Sequence, residues 1–315
     1  MLSPQSHGSE AAGGYHKPVL AGEVVGFLRD RSRILDGTLG GGAHSLALLE
    51  QGATVTALDR DPEAFAEASA RLRAYEQSGH FFPILGNFAD IDDIEATAHA
   101  RFEGILLDLG VSSHQLDELE RGFSFREGAP LDMRMGSDAS LDAAELLATA
   151  NERELARIFR EYGDEPRAGR LAREIVRRRA TRPFRTSDDL VGAIRATLGP
   201  RSGPSEFARL FQAVRIAVNR ELDVLAAALP ALRGHLVESG VIVVISYHSG
   251  EDRLVKHAFR EWSTACTCPP RQPLCTCGGR ALGETLTRKS VTASVEEIET
   301  NPRARSARLR AWRAA

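Results

Sequence analysis

Short apolar runs bounded by glycine, proline or aspartate alternate, in the first third of the chain, with stretches whose apolar residues recur every three or four positions. The runs at 34–35, 54–58, 81–85 and 104–107 read as strands, while 22–28, 45–50 and 64–74 carry helical periodicity. Asp61-Pro62 predicts a helix start, with the aspartate as cap and the proline in the first turn. Another helix is expected over 91–100. Such alternation predicts strand–helix–strand units and a parallel sheet. It then stops. Residues 114–210 hold no convincing strand, only helical patterns around 141–148, 151–162, 166–179 and 187–198. A long helical pattern over 207–232 precedes the best buried strand, 240–245, and the stretches 282–288 and 307–312 read as a closing antiparallel pair. The expected architecture is a Rossmann-like α/β sheet domain over 15–113 and 211–315. An all-helical domain is inserted over 114–210, and 1–14 form a disordered lead-in.

The first strand runs into Asp36-Gly37-Thr38-Leu39-Gly40-Gly41-Gly42-Ala43-His44, a glycine-dense turn before a helix. Glycines suit a loop that a ligand approaches closely or that needs positive φ. The dinucleotide fingerprint G-x-G-x-x-G fails, because Ser45 stands where its third glycine belongs. A carboxylate at position 36 would repel a pyrophosphate but suits a ligand with positive charge, such as the sulfonium and ammonium of S-adenosylmethionine. An ordinary glycine turn is the plainer alternative. Asp59 ends the second strand, where α/β folds hold ribose hydroxyls. Ligands of open parallel sheets lie beyond the carboxyl ends of the strands, so Asp36, Asp59, Phe88 and Asp108 share one rim. Phe88 either stacks on a ligand's base ring or belongs to the core. The late strand adds Ser246-Tyr247-His248 to the same rim.

Charge changes the picture. The net charge of −3 divides into −10 over residues 1–125, +8 over 153–220 and +7 over 253–315, with −4 in each of the two intervening stretches. Two basic blocks, nearly all arginine, suggest a polyanion, and arginine's bidentate pairing and stacking favour RNA. A solvated helix face is the alternative for any single run. No apolar run approaches the ~20 residues of a membrane span. The first fourteen residues lack the apolar core of a signal peptide. A cytoplasmic protein is the default expectation. The only cysteines, Cys266, Cys268, Cys275 and Cys277, form C-x-C-x6-C-x-C, either a structural zinc site or unligated thiols, with no catalytic role.

Taken together, these motifs resemble the bacterial 16S rRNA (cytosine-N4)-methyltransferase family of the RsmH (MraW) type. The matching residues are 16–20 (His-Lys-Pro-Val-Leu), the loop 36–45, 58–61, 107–113, Pro130-Leu131-Asp132-Met133-Arg134-Met135, Arg182-Pro183-Phe184, 215–222, 245–253 and 301–306. They are collinear from about residue 16 to the C-terminus. The resemblance implies an S-adenosylmethionine-dependent enzyme that methylates the exocyclic amine of one cytidine in the decoding region of the small ribosomal subunit. It implies cofactor contacts at Gly41, Gly42, Ala43, His44, Asp59, Phe88, Asp108 and Gln115, with Asp36 balancing the cofactor's positive end. Where the family usually has glycine, this chain has Ala43, which fits only if φ there is negative. Asp108 is the first candidate for an acceptor that holds the amine's N–H bonds, or else a cofactor ligand. Tyr247 and His248 are candidates for stacking on or orienting the base. A methyltransferase for protein or small molecules would not need the arginine blocks. A non-catalytic RNA-binding protein would not need the rim residues, and a nicotinamide oxidoreductase fits neither Asp36 nor the glycine spacing.

Overall fold

The computed structural model describes residues 18–266, 268, 272, 274, 276 and 279–315. The lead-in expected over 1–14, together with His16, Lys17, Cys275 and Cys277, lies outside them. The sheet region begins α1 (Ala21–Phe27), β1 (Arg33–Asp36), α2 (Ala43–Glu50), β2 (Thr54–Asp59), α3 (Pro62–Arg71), α4 (Arg73–Gln77), β3 (Phe81–Leu85) and β4 (Phe102–Asp108). Helices follow: α5 (Ser113–Asp117), α6 (Ala143–Thr149), α7 (Glu152–Glu161), α8 (Ala168–Arg179), α9 (Ser187–Leu198), α10 (Pro204–Asn219) and α11 (Glu221–Gly234). The chain closes with β5 (Leu236–Ser246), α12 (Ser249–Trp262), β6 (Gly283–Thr285), α13 (Val295–Thr300) and β7 (Arg308–Ala314).

One seven-stranded sheet results, in the order β3-β2-β1-β4-β5-β7-β6. The first five strands are mutually parallel, and β7 runs antiparallel to β5 and β6, the closing pair expected from 282–288 and 307–312. Strand order reverses between β1 and β4, the switch point at which such sheets open a ligand crevice. Alternate side chains serve opposite faces. Val241, Val243 and Ile245 join a core with Val24, Leu48 and Leu72. Ile242 and Val244 join Leu225, Leu229, Phe259 and Trp262 on the other face. Coverage on both faces is why 240–246 are all buried and why the strand reads as a continuous apolar run.

A third core belongs to the helices. Phe159, Leu171, Ile175, Leu190, Ile194 and Leu210 are among its buried members, and it reaches from Phe123 to Val218. Two of its helices start at side-chain caps, α6 at Asp142 with Glu145 and α7 at Asn151, which accepts from the Glu154 amide. The boundary expected at 210 falls inside α10, whose buried residues belong mainly to this helical core.

Three elements differ from expectation. The helix over 91–100 is a series of turns after a 3-10 turn at Phe88–Asp90. There the Thr97 hydroxyl donates to the carbonyls of Ile91 and Ile94 (2.7 and 3.2 Å), taking acceptors that a continuous helix would use. The 64–74 helix breaks at the fully buried Leu72, between α3 and α4. The 207–232 pattern is two helices parted at Arg220, whose φ is 50°. Asn219 anchors that break: its amide donates to the carbonyls of Met133 and Arg215 and accepts from the Met135 amide. Arg215 spans it with a bidentate pair to Glu221 at 2.8 and 2.9 Å. The apolar phase continues across the kink, so periodicity does not reveal it.

Candidate active site

Beyond the carboxyl ends of β1, β2, β4 and β5 lies a cavity of about 770 Å3. One wall is the strand rim and its loops, including Gly41, Ala43, His44, Asp59, Phe88, Asp108 and Tyr247. The other comes from the connection after Arg121, with Phe123, Phe125, Met133 and Met135, and from Phe211 and Gln212 of α10.

The glycine loop is shaped by backbone geometry. Gly42 caps α2 with φ 76°, and a Cβ there would press on Leu72 Cδ1 and Ala68 Cβ at 3.1 and 3.2 Å. Gly42 thus lets α2 pack on α3 and does not line the cavity, contrary to its expected ligand contact. Ala43 opens α2 and is absent from the positive-φ residues, which explains how alanine is tolerated there. Asp36 also departs from expectation. Its carboxylate is fully buried beneath the loop and accepts from the Thr38 amide (3.1 Å) and the Ser45 hydroxyl (2.7 Å). It does not line the cavity; burial raises its pKa despite those bonds, and its role is to brace the loop.

Asp59 does face the cavity. Its two oxygens accept from the amides of Gly40 (2.7 Å) and Asp61 (2.9 Å), which leaves lone pairs for a ligand. Burial is the main cause that pushes its pKa up to about 6. Asp61, 1 % exposed, joins the two walls. It accepts from Gln115 Nε2 (2.6 Å) and Arg121 Nη2 (2.7 Å), and Gln115 Oε1 in turn accepts from the Ser112 amide. Burial pushes the Asp61 carboxyl up, but the Arg121 and Gln115 bonds outweigh it and hold the pKa below its ordinary value. Gln115, expected as a cofactor contact, lines the cavity, and its amide serves this joint. Arg121 escaped sequence reading. Nothing in the spacing of 61 and 121 signals the pair.

Asp108 ends β4 at the switch point. Tyr247 Oη donates to its Oδ1 at 2.8 Å, and the Thr38 hydroxyl oxygen accepts from its backbone amide at 2.6 Å. His44 Nε2 stands 3.5 Å from Oδ2, an ion-pair distance rather than a tight hydrogen bond. Burial opposes charge on His44, but the Asp108 and Asp36 carboxylates outweigh it and raise its pKa. His44 Nδ1 is buried and has no partner among the described residues. Burial, then the Asp108 charge, drives the Tyr247 pKa far above its ordinary value, so the phenol stays a donor.

His248 does not join this group. It caps α12, its Nδ1 accepting from the Glu251 amide at 3.4 Å, and it lies off the main cavity beside Glu161 and Tyr162. A strand-to-helix turn needs a cap, and this histidine serves as one, which corrects its expected place beside the base. Glu221, His248 and Glu251 approach one another closely enough to suggest a metal. However, Arg215 already grips Glu221 in a bidentate pair, and Glu251 accepts from the Tyr247 amide. Of the cysteine cluster, Cys266 is exposed and Cys268 half-buried.

The comparisons with known proteins agree with this architecture. The model of the MraW methylase family matches residues 14–315. The chain is 61% identical over 315 residues to a "Ribosomal RNA small subunit methyltransferase H" of Gemmatimonas aurantiaca, covering 100% of both. It is 51% identical over 304 residues to a protein of that name from Anaeromyxobacter dehalogenans, covering 94% of this chain and 96% of the relative. It is 45% identical over 306 residues to one from Heliobacterium mobile, covering 94% and 97%. With the rim carboxylates, the glycine loop and the helical wall all present over the full match, the chain belongs to the MraW methylase family.

Proposed function

We propose that this chain methylates small-subunit ribosomal RNA, with S-adenosylmethionine as donor, at the exocyclic N4 of a cytidine in the decoding region. The observation that carries the reading is Asp108, held by Tyr247 and Thr38 at the sheet's switch point inside a cavity walled on the other side by Phe123, Phe125 and Phe211. The donor, when bound, supplies an electrophilic methyl group. Asp59 suits its ribose hydroxyls and Phe88 its adenine. His44, with an unpartnered buried Nδ1, suits its amino-acid end.

A cytosine amine is a weak nucleophile, because its lone pair is delocalised into the ring. Asp108 accepts a hydrogen bond from that amine, which returns electron density to nitrogen. The nitrogen would gain the methyl group that the bound donor supplies, leaving the donor as its thioether, and Asp108 would take the surplus proton and later release it to water. Tyr247 holds Oδ1 and leaves Oδ2 for the amine; it is a positioning residue. Most of the rate arises from alignment, with the base splayed out of its strand against the aromatic wall.

The test is transfer of labelled methyl to 30S subunits lacking the modification, followed by nucleoside analysis. N4-methylcytidine is expected, and Asp108→Ala should lower turnover by at least about 100-fold while S-adenosylhomocysteine still binds. Tyr247→Phe should cost about tenfold, the scale of one lost hydrogen bond. A different methylated nucleoside, or undiminished turnover by Asp108→Ala, would discard the corresponding part of the reading.

A further inference from the structure

The two arginine-rich blocks differ in what their charges touch. In the helical block most guanidiniums are engaged inside the protein: Glu174 pairs with Arg177 and Arg178, Glu165 with Arg209, and Asp189 with Arg182. Arg179 donates to the carbonyls of Leu147 and Ala150 at the end of α6, and Arg167 to that of Leu198 at the end of α9, where cations meet the helix dipole. Arg177 and Arg178 thus pair within α8, while Arg167, Arg179, Arg182 and Arg209 tie one helical segment to another.

The C-terminal block contrasts. Arg253, Lys256 and Arg260 are exposed on α12 and have no carboxylate partner among the described residues. Their spacing of three and four puts them on one helix face, and Glu261 lies about a quarter-turn away from it. The opposite face of α12 is buried through Val255, Phe259 and Trp262, so no apolar surface is left to enter a membrane. Register places two further cations, Arg305 and Arg308, near the cavity. Arg308 of β7 pairs with Ser246, the residue before the cavity-lining Tyr247. Arg305 sits between Arg303 and Ser306, which line the mouth. Both are exposed and lack a carboxylate partner among the described residues. On the same face of β7, Arg310 grips Asp252, the neighbour of Arg253, with bonds at 2.7 and 3.1 Å. A track of unneutralised cations therefore runs from the cavity mouth along α12.

We infer that this track, and not the arginine-rich helical block, is the principal docking surface for the phosphate backbone of the RNA that presents the target base; this rests on the rRNA reading above. The experiment measures binding of the full-length protein to unmodified 30S subunits across a salt series. Arg253→Gln/Lys256→Gln/Arg260→Gln is compared with Arg153→Gln/Arg160→Gln/Arg170→Gln, which removes three exposed helical-block arginines that also lack carboxylate partners. The α12 triple should reduce the log–log salt slope by about 2, so that the affinity lost between about 50 and about 200 mM salt shrinks by about 16-fold. KM should rise while kcat at saturating subunits stays unchanged. Thermal melting and S-adenosylhomocysteine affinity report folding, and Arg305→Gln/Arg308→Gln, on another element, should lower the slope by about 1. Equal or larger loss in the helical-block triple, or an unchanged slope in both C-terminal variants, overturns the inference. If the wild-type protein itself shows no salt-sensitive binding, the rRNA reading fails first.

Discussion

On the strand side of the cavity, Asp59 and Asp108 are each held by hydrogen bonds from neighbouring chain segments before any ligand arrives. On the opposite side, Phe123, Phe125, Met133, Met135 and Phe211 offer rings and thioethers, with Ser124, Gln212 and Arg215 among the polar groups beside them. The first wall suits a small ligand bearing hydroxyls and charge, because its acceptors are fixed and need no reorganisation. The second suits a flat, weakly solvated ring, which gains from contact area and tolerates a range of approach angles. Each wall thus carries the chemistry of one reactant, and transfer requires both to be held at a constant separation. The Asp61–Gln115–Arg121 joint connects them.

Breaking that joint should have the largest effect. Arg121→Ala leaves the buried Asp61 carboxylate without its guanidinium, and a loss of about 3 kcal/mol in unfolding free energy is expected by denaturant titration. Activity should fall more than cofactor affinity, since the walls lose their mutual alignment. A next test separates the walls. Phe125→Ala should raise KM for subunits by about tenfold or more, the scale of one lost base stack, and leave S-adenosylhomocysteine affinity unchanged. Equal loss of both affinities would show that the walls are not independent.

The smallest effect is in pH. Asp59 is raised to about 6 when folded, from its ordinary value of 3.8. A raised carboxyl favours the folded state below the unfolded pKa, and that contribution is lost as pH climbs from about 4 through about 6. Ribose hydroxyls need the carboxylate, so cofactor affinity has the opposite trend. Calorimetry should find it falling by up to about tenfold per pH unit below about 6, and Asp59→Asn should flatten the profile.

The strands, the glycine loop, the Asp61 helix cap and the closing antiparallel pair were legible in the residues, because each depends on local periodicity or on a neighbour within a few positions. Strand ends carrying Asp59, Asp108 and Tyr247 could be placed on one rim from the parallel topology alone. What only tertiary structure decided were pairings between distant segments. Tyr247 and Asp108 are 139 positions apart, and Arg121 and Asp61 are 60 apart. The kink at Arg220 is set by Asn219 bonding back to Met133 and Met135, 86 and 84 positions away. Asp36 and His248 carried the right chemistry at the right strand ends, yet burial under the loop and a helix cap claimed them. Apolar pattern tells a chain which faces must be covered, but not which polar group will meet which other. That is decided when the covered faces bring their edges together.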